Sequence, residues 1–362
     1  MIKPDKVEVF MEDGPEILPF GKTVESWPAV EENCEGFCCV NSINIDVVFA
    51  VIGRDCIFIY FIHSGLNRKS SRARLRENYF TPLGICADRR AVSIPTVYFH
   101  PGPGLNANPE RTLLTPQWPT LAPGAFDWDQ PSHQRKDGVE FKEQGAFSQY
   151  LQSAELHFLA RSNDAPVLLL AHSFGAYAAL YMAKKYPERV RTMVLIASAI
   201  ATEAADQRMF AFTLDDFQAA GSSEYSEMKR VIDNYSGKFD ANTETGFRLF
   251  LQNPRAFDHY WTDREWMMKY FECMSTEQYA VDINGFFAVR RSLDWSLMPT
   301  GVASVKVVSI FGEKEKVVNP AAERAAIDAH FSHHKTHDLP GVGHYPHFER
   351  ADLVWQLIEE SL

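Results

Sequence analysis

Two kinds of apolar pattern alternate along most of the chain. Short continuous apolar runs, which are typical of strands buried on both faces, are separated by segments with a helical spacing of apolar residues. The runs predict strands near 45–52, 55–63, 95–99, 166–171, 190–197 and 305–311, and two further strands are predicted near 125–129 and 334–339. The first two strands read as a hairpin, and the later alternation with helices predicts an α/β fold with a mostly parallel central sheet flanked by helices.

The helical spacing indicates where the covering helices lie and where the alternation stops. It predicts helices over 141–160, 174–185, 320–331 and 346–360. Between about 201 and 300 the chain has helical segments and many aromatic residues but no clear buried strand. We therefore predict an irregular N-terminal extension over 1–44, a core built from 45–200 and 301–362, and an inserted helical cap over 201–300.

Composition narrows the class of protein and its partners. The chain has 362 residues, of which 46% are hydrophobic and 23% are charged, as in ordinary water-soluble domains. A net charge of −11 argues against nucleic acid or an anionic membrane as the main partner. The first residues lack the apolar core of a secretory signal, and charges interrupt the apolar stretch 45–63, so we expect a cytoplasmic protein without a membrane span.

The six cysteines predict free thiols, because their spacing matches no zinc signature and a chain of this length does not need a disulfide framework. A disulfide within the group Cys34, Cys38 and Cys39 is the alternative for an exported protein. Composition does not determine the oligomeric state.

The segment Ala171-His-Ser-Phe-Gly175 carries the strongest chemical signal in the chain. An apolar run precedes it, and an alanine-rich helical pattern follows it. A sharp turn from strand to helix can present a serine hydroxyl only when the residues two before and two after it are small. The segment therefore predicts Ser173 as a covalent nucleophile, with Ala171 where a glycine is common.

A serine nucleophile needs a base and an acid that orients the base. His344, in the glycine-rich segment before the last helix, is the predicted base, and His347 is its rival. Glu315, in the turn after the strand 305–311, is the predicted acid. Glu313 is a close competitor and Asp206 a distant one. The order serine, acid, histidine agrees with the strand–turn–helix type of serine enzyme.

The loop His100-Pro-Gly-Pro-Gly104 follows a predicted buried strand and offers donors for an oxyanion. Pro101 and Pro103 have no N–H, so Gly102 is the natural donor of this loop. The backbone N–H of Phe174, directly after the nucleophile, supplies the second donor.

Substrate contacts and metals are predicted from less specific features. His100, His172, Trp261 and Trp266 are candidate substrate-binding residues. The aromatic residues of the cap favour a small hydrophobic substrate, although most of them are expected to pack the cap itself. His330, His333, His334 and His337 form a cluster without a clear pair of ligands and a carboxylate on one face, so we expect no metal and no cofactor.

Together these motifs resemble the alpha/beta-hydrolases with a helical cap, over about 45–200 and 303–362. The loop His100–Gly104 is similar to the His-Gly-Gly-Pro-Gly loop of proline iminopeptidases and related capped esterases, and Asp129-Gln130 matches the start of a further segment of those families. The chain has Pro101 where those families have glycine, and Glu315 where they have aspartate.

The motifs and the resemblance imply a serine hydrolase that cleaves an ester, lactone, amide or carbon–carbon bond through an acyl-enzyme. Two alternatives remain open at this point. The same triad serves in lyases and acyltransferases, and a hydrolase scaffold can also act as a non-catalytic ligand receptor.

Overall fold

The computed structural model describes two compact units, Met1–Ala91 and Val92–Leu362. In the first unit it describes the backbone of four strands. In the second it describes residues 93–130, 145–163, 165–274 and 281–362.

The first unit contains an antiparallel sheet in which the strands follow chain order. Its strands are β1 (Cys34–Cys39), β2 (Val47–Gly53), β3 (Ile57–Ile62) and β4 (Leu83–Ile85). Strands β2 and β3 pair with Val47 opposite Ile62, which confirms the predicted hairpin. Strand β1 lies within the segment predicted to be irregular, so that prediction was wrong for six residues. Residues 1–33 and the side chains of Cys34, Cys38 and Cys39 lie outside the described part.

The second unit is organised around a five-stranded parallel sheet, which confirms the predicted α/β class. The strands follow chain order: β5 (Thr96–Phe99), β6 (Val167–His172), β7 (Val190–Ile196), β8 (Ala303–Gly312) and β9 (Phe331–Leu339). The predicted strand at 125–129 was wrong. Its backbone forms turns instead, in which Ala125 N–H donates to Ala122 and Asp127 N–H donates to Gly124.

Helices cover both faces of this sheet. Those outside the segment 201–300 are α1 (Asn108–Leu113), α2 (Ala146–Arg161), α3 (Ala176–Lys185), α9 (Pro320–Asp328), α10 (Pro346–Glu349) and α11 (Ala351–Ser361). Phe147 of α2 and Tyr177 of α3 pack on one face of the sheet. Val354 and Ile358 of α11 pack on the other face. Burial of apolar area on both faces is the main stabilising contribution to such a sheet.

One helix begins where the local sequence predicts, and another is interrupted where it predicts no break. Asn319 accepts hydrogen bonds from the backbone N–H groups of Ala321 and Ala322, and Pro320 occupies the first turn, so α9 begins where the pattern predicts. The predicted single helix over 346–360 is two helices. Arg350 adopts φ −142° and ψ 56°, which interrupts the helical backbone between α10 and α11.

The segment 201–300 is helical in its described part. Its helices are α4 (Thr202–Ala220), α5 (Tyr225–Asp233), α6 (Ala241–Gln252), α7 (Arg264–Met274) and α8 (Ile283–Arg291). Their aromatic side chains form one cluster that includes Phe210, Phe247 and Phe287 and reaches Phe311 at the end of β8. The division of the chain into extension, core and cap stays a prediction.

A buried carboxylate joins α9 to the end of β7. Glu323 is fully buried, and its carboxylate accepts hydrogen bonds from the backbone N–H groups of Ile200 at 3.0 Å and Ala201 at 2.8 Å. Burial raises the pKa of Glu323 to about 8, because removal from water disfavours the charged form.

The Glu323→Gln variant is expected to flatten the pH dependence of stability. Because the native pKa of Glu323 exceeds its ordinary value, the native state binds this proton more tightly than the unfolded state. The contribution of Glu323 to the free energy of unfolding is therefore full below about pH 4.5 and is lost as the pH rises through about 8. Glutamine keeps an acceptor oxygen and does not titrate.

Urea unfolding at about pH 5 and about pH 9 measures this effect. We expect the loss of unfolding free energy between the two conditions to be smaller in Glu323→Gln by roughly 1–3 kcal/mol. Glu359→Gln, at an exposed position of α11, is the matched control and should behave as the unchanged protein. An equal loss in both variants would contradict the prediction.

Candidate active site

The nucleophile candidate lies at a sharp turn between β6 and α3. Strand β6 ends at His172, residues Ser173–Gly175 form one 3₁₀ turn, and α3 begins at Ala176. Ser173 has φ +51°, in the left-handed region that side chains other than glycine rarely adopt. The Ser173 carbonyl accepts a hydrogen bond from Ala199 N–H at 3.1 Å. A strained serine at a strand-to-helix turn is the geometry that the sequence motif predicts.

Steric contact explains the small residue after the serine. A Cβ atom on Gly175 would lie 2.3 Å from the Phe99 carbonyl oxygen and 2.7 Å from that of His100. Both are backbone atoms and cannot move aside cheaply. Ala171 is fully buried in the sheet, where it pairs with Phe99 of β5 and Leu195 of β7. One methyl group fits at that position.

The base candidate reaches the serine from the loop after β9. Nε2 of His344 lies 3.1 Å from Oγ of Ser173. His344 is 1% exposed, and its backbone N–H donates to the carbonyl oxygen of Tyr260 at 2.8 Å. Gly341 has φ +76°, which allows the loop to turn back toward the sheet.

Glu315 holds the other side of the His344 ring. Its Oε2 lies 2.8 Å from Nδ1 of His344. Its Oε1 accepts hydrogen bonds from the backbone N–H groups of Val317 at 2.7 Å and Val318 at 3.1 Å. Arg208 donates to the carbonyl oxygen of Glu315 at 2.7 Å. Both carboxylate oxygens are thus engaged, which orients the acid and, through it, the imidazole ring.

The competing residues lie elsewhere. Glu313 is exposed and accepts a hydrogen bond from Gly341 N–H at 3.0 Å. Asp206 is buried and paired with Arg290, whose Nη2 lies 2.7 Å from Oδ2 of Asp206. His347 is fully buried in α10. The structure brings together Ser173, His344 and Glu315.

The loop predicted to supply an oxyanion donor is held by the dipeptide Asp129-Gln130. Gly104 N–H donates to Oε1 of Gln130 at 2.8 Å, and Ala107 N–H donates to Oδ1 of Asp129 at 2.7 Å. Gly102 has φ +53°, a conformation that favours glycine. The sequence analysis singled out this dipeptide only because it matches the related families. That match did not indicate that the dipeptide holds the loop of Gly102.

Phe174 occupies the other predicted donor position, the first residue of the turn after Ser173. The first N–H groups of a helical turn have no acceptor within the turn, so they can donate to an oxyanion.

Two of the four predicted substrate-binding residues are buried histidines with structural partners. His100 is fully buried, its Nε2 accepts a hydrogen bond from Gln130 N–H at 3.2 Å, and its ring stacks on Trp128. His172 is also fully buried, and its Nε2 lies 2.8 Å from the carbonyl oxygen of His344. Burial and the charges of His347 and His344 hold the pKa of His172 well below its usual range. Neither side chain is exposed at the surface, and the role of the two histidines in substrate binding stays a prediction.

The two predicted tryptophans also have packing roles. Trp261 is 7% exposed and stacks on Tyr345 with ring centroids 4.1 Å apart. Trp266 packs against Phe348 with ring centroids 6.0 Å apart. Substrate binding by either tryptophan stays a prediction.

Tyr260 is an aromatic residue of the segment 201–300 that the structure places against the base. Its ring meets the His344 ring edge-to-face with centroids 5.2 Å apart, and burial raises the pKa of its hydroxyl. Nothing in the sequence distinguishes Tyr260 from the other aromatic residues of the segment 201–300, because the contact depends on how that segment folds back.

Two of the four histidines near β9 have separate partners. His334 contacts Asp328 and Ser309, each at 2.8 Å, and Nδ1 of His330 lies 3.1 Å from Nζ of Lys184. The residues whose ligand atoms do converge are Glu110, His172 and His347.

The parallel sheet, the strained serine turn and the histidine loop after the last strand define a class of protein. Residues 125–351 match the family model of the alpha/beta hydrolase fold, and the chain belongs to this family. The narrower resemblance to proline iminopeptidases stays a prediction. Within the part of the chain that the structure describes, none of the helices combines the length and hydropathy needed to cross a bilayer.

Several solved structures are similar to this chain. BpoC from Mycobacterium tuberculosis H37Rv, a putative non-heme bromoperoxidase, is 16% identical and aligns over 74% of this chain and 91% of its own, with a TM-score of 0.45. The peroxisomal alpha-beta-hydrolase Lpx1 from Saccharomyces cerevisiae is 12% identical over 92% of this chain and 85% of its own, with a TM-score of 0.46.

A 2-hydroxy-6-oxo-6-phenylhexa-2,4-dienoate hydrolase from Rhodococcus sp. strain RHA1 is 14% identical over 87% of this chain and 94% of its own, with a TM-score of 0.45. At these identities and TM-scores the similarities carry no conclusion about activity. A search of the curated proteins found no significant match.

The Gly175→Ala variant is expected to disturb the serine turn. The added methyl group would meet backbone oxygen atoms of Phe99 and His100, so we expect a loss of about 1–3 kcal/mol in unfolding free energy and misplacement of Ser173.

The matched control is Gly145→Ala, where φ is +82° and the added methyl group meets no atom of the described residues within 4 Å. Its unfolding free energy should fall only by the cost of the backbone strain, about 1 kcal/mol. Denaturant unfolding measures the loss of unfolding free energy. Covalent labelling of Ser173 by a fluorophosphonate probe measures whether the serine is misplaced. Normal labelling of Gly175→Ala would contradict the steric explanation.

Proposed function

We propose that this member of the alpha/beta hydrolase family is a serine hydrolase. One observation carries the proposal. A continuous polar contact runs from Glu315 through both nitrogen atoms of the His344 ring to Oγ of Ser173, over distances of 2.8 Å and 3.1 Å. This order of acid, base and nucleophile is what acyl transfer to a serine requires.

In the proposed reaction, Oγ of Ser173 attacks a carbonyl carbon while Nε2 of His344 accepts the hydroxyl proton. Glu315 keeps the other ring proton on Nδ1 and stabilises the imidazolium. The backbone N–H groups of Gly102 and Phe174 stabilise the tetrahedral oxyanion. His344 then donates its proton to the leaving group, and an acyl-enzyme remains on Ser173. A water molecule deprotonated by His344 hydrolyses this intermediate and restores the serine.

The surroundings of His344 support a small hydrophobic substrate. Tyr260 packs edge-to-face on the base, and Phe250 and Phe257 pack against Tyr260 with ring centroids 6.2 Å and 5.8 Å away. An apolar wall of this kind favours an apolar acyl or alcohol group. We propose that the helices of 201–300 form the cap that carries this wall, and that the scissile bond is an ester, lactone, amide or carbon–carbon bond.

The proposal predicts covalent labelling of Ser173 by a fluorophosphonate probe. Oγ of Ser173 attacks the phosphorus atom and displaces fluoride, so mass spectrometry should find one adduct per chain on the peptide that contains Ser173. The Ser173→Ala variant and urea-unfolded protein are the controls, and neither should react. Folded protein that stays unlabelled at Ser173 would remove the basis for the proposed nucleophile.

The acid is tested by two neighbouring glutamates. Glu315→Gln leaves a neutral side chain opposite His344 and favours the wrong ring tautomer, so we expect the labelling rate to fall by about 10³- to 10⁴-fold. Glu313→Gln changes an exposed residue two positions away in the same turn and should stay within about twofold, because this side chain does not contact the base. A large loss of labelling rate in Glu313→Gln alone would mean that Glu313, and not Glu315, is the acid.

A further inference from the structure

Three chemically reactive side chains that the proposed reaction does not use converge behind His344. Glu110 of α1, His172 at the end of β6 and His347 of α10 are all fully buried. One ligand atom from each lies within 4.8 Å of the other two. Nε2 of His347 lies 3.7 Å from Oε1 of Glu110, too far for a hydrogen bond.

Four buried polar atoms of this group lack partners in the part of the chain that the structure describes. They are Oε2 of Glu110, Nδ1 of His172 and both ring nitrogen atoms of His347. Buried polar atoms left without partners cost free energy, so several together in one native site call for an occupant. The occupant has to satisfy one carboxylate oxygen and two imidazole nitrogen atoms at once.

The remaining atoms of two of these side chains have the partners that metal ligands usually have. Nε2 of His172 lies 2.8 Å from the backbone carbonyl oxygen of His344, so it carries the proton and leaves the lone pair on Nδ1. Oε1 of Glu110 accepts a hydrogen bond from the Tyr98 hydroxyl at 2.8 Å. Histidine ligands typically donate their second N–H to a carbonyl, and carboxylate ligands are themselves hydrogen-bonded.

We propose that Glu110, His172 and His347 bind one divalent transition-metal ion, with Zn²⁺ as the best fit. Two imidazole nitrogen atoms and one carboxylate oxygen form a common zinc ligand set. Ligand atoms about 2.0–2.2 Å from one ion lie roughly 3.5 Å apart in a tetrahedron, so the three side chains have to move closer on binding.

The ion has a structural role in this proposal. It joins the helix after the loop of Gly102, the residue before Ser173 and the helix after His344, and so holds the three parts of the proposed catalytic machinery together. This differs from the expectation of no metal, which considered only the histidines close together in sequence. The site does not depend on the proposed hydrolase reaction, so either proposal can fail without the other.

Metal content and thermal unfolding test the site without an activity assay. The purified protein is dialysed against a chelator and then against Zn²⁺, and bound zinc is measured by inductively coupled plasma mass spectrometry. We expect about one zinc ion per chain and, with Zn²⁺ in excess, a Tm about 5 °C or more above that of the chelated protein.

The variants His347→Gln and Glu110→Gln should each lose the bound zinc and the Zn²⁺-dependent rise in Tm. His333→Gln, which changes an exposed histidine, is the control and should keep both. Circular dichroism confirms that each variant folds, and the second ligand variant serves if the first does not. The proposal would be overturned if the original protein bound no zinc and its Tm did not change. An equal rise in Tm in all variants would also overturn it. Buried water would then be the occupant.

Discussion

The close approach of Gly175 to the end of β5 is the contact on which the rest of the site depends. The backbone at Gly175 lies so near the carbonyl oxygen atoms of Phe99 and His100 that no side chain fits between them. This approach allows β6 to turn sharply into α3 and keeps Ser173 in its left-handed conformation. The same two residues begin the loop of Gly102. One contact therefore sets the position of the proposed nucleophile relative to the loop that is proposed to stabilise the oxyanion.

A second close approach positions the base and the acid. A Cβ atom on Gly312 would lie 2.2 Å from the carbonyl oxygen atoms of both Val342 and Gly343. The turn that carries Glu315 and the loop that carries His344 therefore touch directly. His172 and Tyr260 contact the backbone of His344 from two further sides. The Glu315 carboxylate holds the imidazole and these contacts hold its backbone, so little conformational entropy remains to be lost when a substrate binds.

Much of the fold was predictable because the strands of a parallel sheet are apolar on both faces. The runs at 166–171 and 305–311 correspond to β6 and β8. The segment 125–129 alternates apolar residues with aspartates, but its backbone forms turns closed by local hydrogen bonds, and periodicity cannot detect such bonds. The helix break at Arg350 also escaped prediction, because the residues on both sides are good helix formers.

Sequence alone determined the residue types and the order of the proposed catalytic side chains, because the serine turn requires small neighbours that are adjacent in the chain. Tertiary structure places the carboxylate of Glu315 against His344 and that of Glu313 against Gly341, since two glutamates in one turn differ only in the direction in which the backbone presents them. It also placed His100 and His172 behind the site, and it brought Glu110 close to two histidines far away in the chain. Such convergence depends on how the ends of parallel strands meet, and residue spacing along the chain does not predict it.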